Sequence, residues 1–309
     1  MTDRILPLLA LGVMVSSVIF PPVATAEIIG QETAAEQETH ETAPSAPLGN
    51  PLILPDGTML HPLCLRSEGV DERHVFPASG CVDETIILTD EIDRANHYVS
   101  VPYQRSFAFN GDAPDYVERG YVGYHYAGPY QGQLLIGTVE STGGTGFLSA
   151  LGLYTVQESR GRYALERTRV LAGGDRCNGG IAAFGLNEQN LITHATHVTA
   201  LALMTLGGSD TGSTPDAYDT PFDRHIVDCA ACCYGIASFE NGLFQEVSLS
   251  PTLYQDIQER EQHGTPQDCM DGMILDLFEQ GRTKLDRDAL AQFTEKVEQR
   301  CLSANPQQE

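Results

Sequence analysis

The octapeptide Cys177-Asn-Gly-Gly-Ile-Ala-Ala-Phe184 returns further along the chain as Cys232-Cys-Tyr-Gly-Ile-Ala-Ser-Phe239, with cysteine, glycine, isoleucine, alanine and phenylalanine in register. A polar turn follows each copy, at 185–190 and at 240–242, and a strand-like run follows each turn, at 191–196 and at 243–248. Thr199 in the first copy and Ser250-Pro251 in the second then open a short apolar segment of helical character. Two copies of one unit, near 177–206 and 232–257, each begun by a cysteine, imply a pseudo-symmetric β-rich body built by duplication.

The chain between the N-terminus and the first copy extends this reading. Residues 84–93 favour a short strand around Ile86, Ile87 and Leu88. Strand candidates at 121–126 and 133–139 flank Ala127-Gly128-Pro129, and those at 147–157 and 162–171 flank Glu158-Ser-Arg-Gly161 as a hairpin. The expected fold is mainly β: antiparallel hairpins arranged as a meander, sandwich or propeller-like sheet. Residues 207–224, dense in Gly, Ser, Thr, Asp and Pro, read as a loop. The C-terminal part changes period. Residues 268–280 and 286–302 carry apolar residues at helical spacing, with Leu290, Phe293, Val297 and Cys301 on one stripe and Asp286 as N-cap. The domain organisation read from these segments is a signal peptide at 1–26, a flexible acidic tether at 27–48, a β-rich body at 49–260 and a helical appendage at 261–309.

Compartment follows from the N-terminus and the cysteines. Arg4 precedes the apolar run 5–20, Pro21-Pro22 breaks it, and Ala24-Thr25-Ala26 has the form of a signal-peptidase site. All eight cysteines lie beyond that site, and an even count in an exported chain argues for disulfides, hence for a periplasmic or extracellular location. Cys64 and Cys81 form one local pair, and Cys269 and Cys301 clasp the two expected helices. Cys177, Cys229, Cys232 and Cys233 pair among themselves in an order that spacing leaves open, with the in-register copies favouring a bridge between the two units. The net charge of −24, with lysine only at positions 284 and 296, excludes nucleic-acid and anionic-membrane binding as the main role. It favours attraction to a basic partner. After removal of the signal no segment is apolar enough to insert into a membrane.

Motifs that carry chemistry are weak. Cys229-Ala-Ala-Cys232 has the spacing of a redox dithiol, but no helix pattern follows it to activate a thiolate. His194 and His197 lie on a strand-like run, where an offset of three points them to opposite faces, so no metal is assigned. Asp210-Thr-Gly-Ser213 resembles the core of the aspartic protease signature. That family sets its aspartate at the end of a rigid apolar strand, whereas glycines precede this one and no second copy exists. Gly143-Gly-Thr-Gly146 and the glycines of 173–180 read as tight turns, with no P-loop ending and no cofactor implied. Arg176, beside a disulfide cysteine in a lysine-poor chain, is a positioned positive charge. Tyr121, Tyr124, Tyr126 and Tyr130, with Tyr116 and His125 among them, offer rigid aromatic area of the kind that binds sugars, peptides and proteins. The expectation is an exported, disulfide-stapled protein that binds a protein or a small ligand without catalysis through these tyrosines and Arg176. A hydrolase, and then a thiol–disulfide protein, are the alternatives.

Overall fold

Tight two-residue turns set much of the architecture. Gln131-Gly132, Arg160-Gly161 and Asn241-Gly242 hold both residues at positive φ (49° and 79°, 53° and 72°, 51° and 77°). That is the conformation whose twist matches a pair of antiparallel strands. The computed structural model describes residues 50–303 apart from 67–74, 83–85, 95–97, 108–115, 142, 144–145 and 209–220. The expected signal peptide and tether, and most of the 207–224 loop with Asp210-Thr-Gly-Ser213, lie outside the described residues.

The first sheet contains β1 (Val75–Pro77), β2 (Ile86–Leu88), β3 (Val99–Phe107), β4 (Tyr116–Tyr130), β5 (Gln133–Ser141), β6 (Leu148–Ser159) and β7 (Arg162–Asp175). Its order, β1-β7-β6-β5-β4-β3-β2, is an antiparallel meander from β2 to β7 with β1 added at the β7 edge. The expected turn at Ala127-Gly128-Pro129 is instead a bulge. The register with β5 shifts between Tyr126 and Gly128, Gly128 takes φ 133°, and β4 runs on to turn at Gln131-Gly132. A bulge absorbs the extra residue that the glycine makes possible.

The second sheet contains β8 (Ile181–Leu186), β9 (Ile192–Val198), β10 (Gly235–Glu240), β11 (Leu243–Leu249) and β12 (Lys284–Asp286), in the order β12-β11-β10-β9-β8. The two cysteine-led segments are thus β8 and β10, and both pair with β9: Phe184 and Phe239 each lie opposite His194. Each hairpin runs into a helix, β9 into α1 (Ala200–Gly208) and β11 into α2 (Leu253–Glu259). Thr199 caps α1 by accepting from the Ala202 amide at 3.2 Å. Two longer helices, α3 (Pro266–Glu279) and α4 (Arg287–Val297), complete the described chain, with a π turn at Glu298–Leu302. Asp286 caps α4 by accepting from the Ala289 amide at 2.8 Å, and Leu290, Phe293, Val297 and Cys301 are buried as the stripe implied.

Burial is organised in layers. One face of the first sheet puts Tyr124, Ile136, Tyr154 and Leu165 against Leu52, Leu60 and Phe76. The opposite face puts Leu135, Leu151 and Leu153 against Ile192, Phe184 and Leu186 of the second sheet. Gly137 is required there, because a Cβ at that position would overlap the Phe184 ring. The remaining core joins β10 and β11 to α1, α3 and α4. Phe184 and Phe239, at equivalent positions of the two copies, lie in different core clusters. The edge strand β8 lies on the first sheet, whereas Phe239 of β10 belongs to the core that the helices cover. No described helix is long and apolar enough to cross a membrane.

Four disulfides use all eight cysteines. Cys64–Cys81 and Cys269–Cys301 are the local pairs expected. In the middle group Cys177 bonds Cys233, not the in-register Cys232, which closes a tight turn with Cys229. The turn is held by the Cys232 amide donating to the Cys229 carbonyl at 2.9 Å, so Cys232 is taken and its neighbour reaches Cys177. Such disulfide density fits an oxidising compartment.

Candidate functional site

One of two bulges in β7 governs the surroundings of two arginines. Leu153 of β6 faces Arg169 and the next residue, Tyr154, faces Arg167, so Thr168 has no partner across the strand pair. In a regular strand positions 167 and 169 would share a face. Here they point to opposite faces, Arg167 with Tyr154 and Arg169 with Leu153. Thr168 is pinned in the bulge, its hydroxyl donating to the Leu153 carbonyl at 3.0 Å and accepting from the Gln133 amide.

Arg167 faces a cavity of about 420 Å³ on the face of the first sheet where Phe76 of β1 meets Leu65 of the Pro62–Leu65 turn, within the ~300–1,000 Å³ usual for small-molecule sites. Apolar walls come from Leu65, Phe76, Leu148, Ala150 and Val170. Leu148 and Val170, with neighbouring Phe147, are exposed to solvent. Polar groups gather within this apolar surround. The side chain of Arg167, a residue only 6% exposed, sits with its guanidinium 5.9 Å from the Phe76 ring centre. It also bonds the Tyr154 hydroxyl, whose pKa burial pushes up to about 12 against the opposing pull of that guanidinium. Glu140 lies 3.4 Å from Arg66, which approaches Glu118 at 3.8 Å and stacks 5.2 Å over the Tyr103 ring. Tyr103 donates to Glu118 at 2.9 Å. Arg66 thus pairs with two carboxylates, Glu118 and Glu140, beside the cavity. The hydroxyl of Ser149 is occupied in accepting the Ile181 amide at 2.7 Å, and among the described residues neither histidine nor cysteine lines the cavity. The arrangement can desolvate an apolar body and hold a polar end.

The residues singled out from sequence fall elsewhere. Tyr124 is a core residue, and its assignment as a contact residue is corrected. Its hydroxyl donates to the Leu60 carbonyl at 2.9 Å and accepts from the Leu52 amide at 3.1 Å, and burial pushes its pKa to about 12. Tyr126 packs beside it on the same covered face, and Tyr121 is half-buried. The tyrosines therefore form no open aromatic groove, because the segment from Leu52 to Leu60 lies over that face. Tyr130, on the other face, borders a smaller cavity at the junction of the two sheets. Arg176 sits in a turn at φ 46°, beside Cys177–Cys233, and its side chain clasps the adjacent Asp175 at 3.1 and 3.2 Å. That contact holds Asp175 below the usual carboxylate range, so the charge of Arg176 is matched locally. His194 is buried and stacked on Phe239 at 4.8 Å, while His197 places Nδ1 3.9 Å from Cys233 Sγ. No cluster of metal-ligating side chains occurs among the described residues.

Sequence reasoning missed Arg66, Glu140, Tyr154 and Arg167. One signal was present for Arg167. Leu165 and Arg167 alternate on β7 in the frame that faces the core, and an arginine in an apolar frame marks a buried charge. Comparison with protein-family models, curated proteins and solved structures finds no match to this chain.

Proposed function

We propose that this is a non-catalytic binding protein of the periplasm or extracellular space, taking into the Arg167 cavity a small molecule with an apolar body and a polar end. The observation that carries the reading is the nearly complete burial of Arg167 on the wall of a largely apolar cavity of ligand size. A buried guanidinium is retained only where it is hydrogen bonded, and a ligand's polar end adds to the partnership with Tyr154. Exposed Phe147, Leu148 and Val170 offer apolar surface to the ligand body. Export is supported by the four disulfides and by the signal-like sequence of 1–26.

The test is titration calorimetry and native mass spectrometry with decanoate, decanol and decylamine. One of the three is expected to bind one-to-one, decanoate if the polar end meets Arg167 and decylamine if it meets Glu140. Ala150→Trp, which fills the cavity from β6, should weaken that binding at least about ten-fold, or about 1.4 kcal/mol. Absence of binding by all three, or equal binding by the filled variant, overturns the reading.

A further inference from the structure

On the opposite face of the first sheet the Thr168 bulge delivers Arg169 to a second cavity, of about 280 Å³, at the junction with the second sheet. Leu153 and Ile192 form its apolar walls, and Tyr130, His194 and the Asn241-Gly242 turn close it. Four properties of this cavity are informative together. First, His194 is 7% exposed and its Nδ1 is buried with no hydrogen-bond partner among the described residues. An unmet N–H donor is rarer in folded proteins than an unmet acceptor, so the ring proton belongs on Nε2, which is left as a donor. The stack on Phe239 fixes the plane of the ring. Second, Arg169 is exposed and makes no ion pair among the described residues. Third, the Tyr130 hydroxyl accepts from the Gln131 side chain at 3.1 Å and keeps its own proton to give. Fourth, no carboxylate among the described residues lines the cavity, in a chain of net charge −24. Glu240, the nearest in sequence, is held by Asn187 at 3.0 Å, and the turn after it is anchored by the Asn241 amide on the Ile192 carbonyl at 2.8 Å.

Imidazole, guanidinium and phenol groups thus line a small volume with apolar walls and, among the described residues, no acidic side chain. We infer that this junction is a second binding site, for a compact carboxylate, in which Arg169 and His194 hold the anionic oxygens and Tyr130 adds a third hydrogen bond. Its size suits a ligand with one ring better than the longer body proposed for the Arg167 cavity, and it is independent of that reading.

The probe is benzoate, with neutral benzamide as its near-isostere, followed by calorimetry and by the imidazole resonances of His194 in a nitrogen-15 labelled sample. Benzoate should bind one-to-one and shift the His194 resonances, and benzamide should bind at least about ten-fold more weakly, the loss expected when a charge-assisted bond becomes a neutral one. Arg169→Gln should weaken benzoate by a similar factor and Tyr130→Phe by less, while Ala150→Trp, which fills the cavity on the other face, should leave benzoate unchanged. Arg169 is exposed, so its replacement leaves the fold intact. Failure of benzoate to move the His194 resonances at millimolar concentration, or unchanged binding by Arg169→Gln, overturns the inference.

Discussion

At the scale of single residues, His194 links stability to pH. Burial lowers its pKa from the usual 6.5 to about 4. The unfolded chain therefore takes up a proton at a higher pH than the folded one. The stabilisation from the neutral ring is complete above pH 6.5 and is lost as pH falls from there towards 4. The difference corresponds to on the order of 3 kcal/mol. Denaturant melts at pH 7 and pH 4.5 should show this loss in the native sequence and a smaller one in His194→Asn. An equal loss in both would place the sensitivity elsewhere. His194 also shows how far residue-level reading reached. The alternation of β9 separated it from His197 onto the opposite face, and the structure agrees. Its stacking on Phe239 needed strand pairing, which joins residues far apart in sequence. The tyrosines mark the limit. A strand pattern says that Tyr124 and Tyr126 share a face, but not whether another segment covers it.

At the scale of elements, the turns at 158–161 and 240–242 were legible while that at Gln131-Gly132 was not, and the turns are also a reservoir of small strain. Asn241-Gly242 is the residue pair that a turn with two positive φ angles favours, while Gln131 and Arg160 occupy the same conformation against their intrinsic preference. Arg160→Asn should stabilise the protein by roughly 0.5–1 kcal/mol, and Asn241→Ala should destabilise it by about as much, both measured by urea unfolding. No change for Arg160→Asn would mean that the turn is not limiting. Bulges are the illegible counterpart. The Thr168 bulge reverses which face Arg169 occupies, and no residue type in 162–175 announces it, since Thr168 is an ordinary strand residue. The hydrogen bond from Thr168 to Leu153 exists only once β6 is alongside.

At the scale of the whole molecule, the disulfides differ in what they constrain. Cys177–Cys233 spans 56 positions and ties the entry of β8 to the entry of β10, whereas Cys229–Cys232 spans 3 and closes only a turn. By loop entropy, replacing Cys177 and Cys233 by alanine should cost about 4 kcal/mol and replacing Cys229 and Cys232 about 2. Thermal unfolding of the two double variants checks the order, and a larger loss from the Cys229 and Cys232 pair would contradict it. Composition, hydropathy period and cysteine count by themselves determined the antiparallel hairpins, the helical C-terminal stripe, the caps and the two local disulfides, because each depends on residues near one another in the chain. Only the tertiary structure decided that Tyr124 is covered, that Cys177 meets Cys233, and that two arginines two positions apart serve cavities on opposite faces. Those outcomes depend on which distant segments come to lie together, and pairing across strands and layers is set by the packing of the whole, which no local pattern encodes.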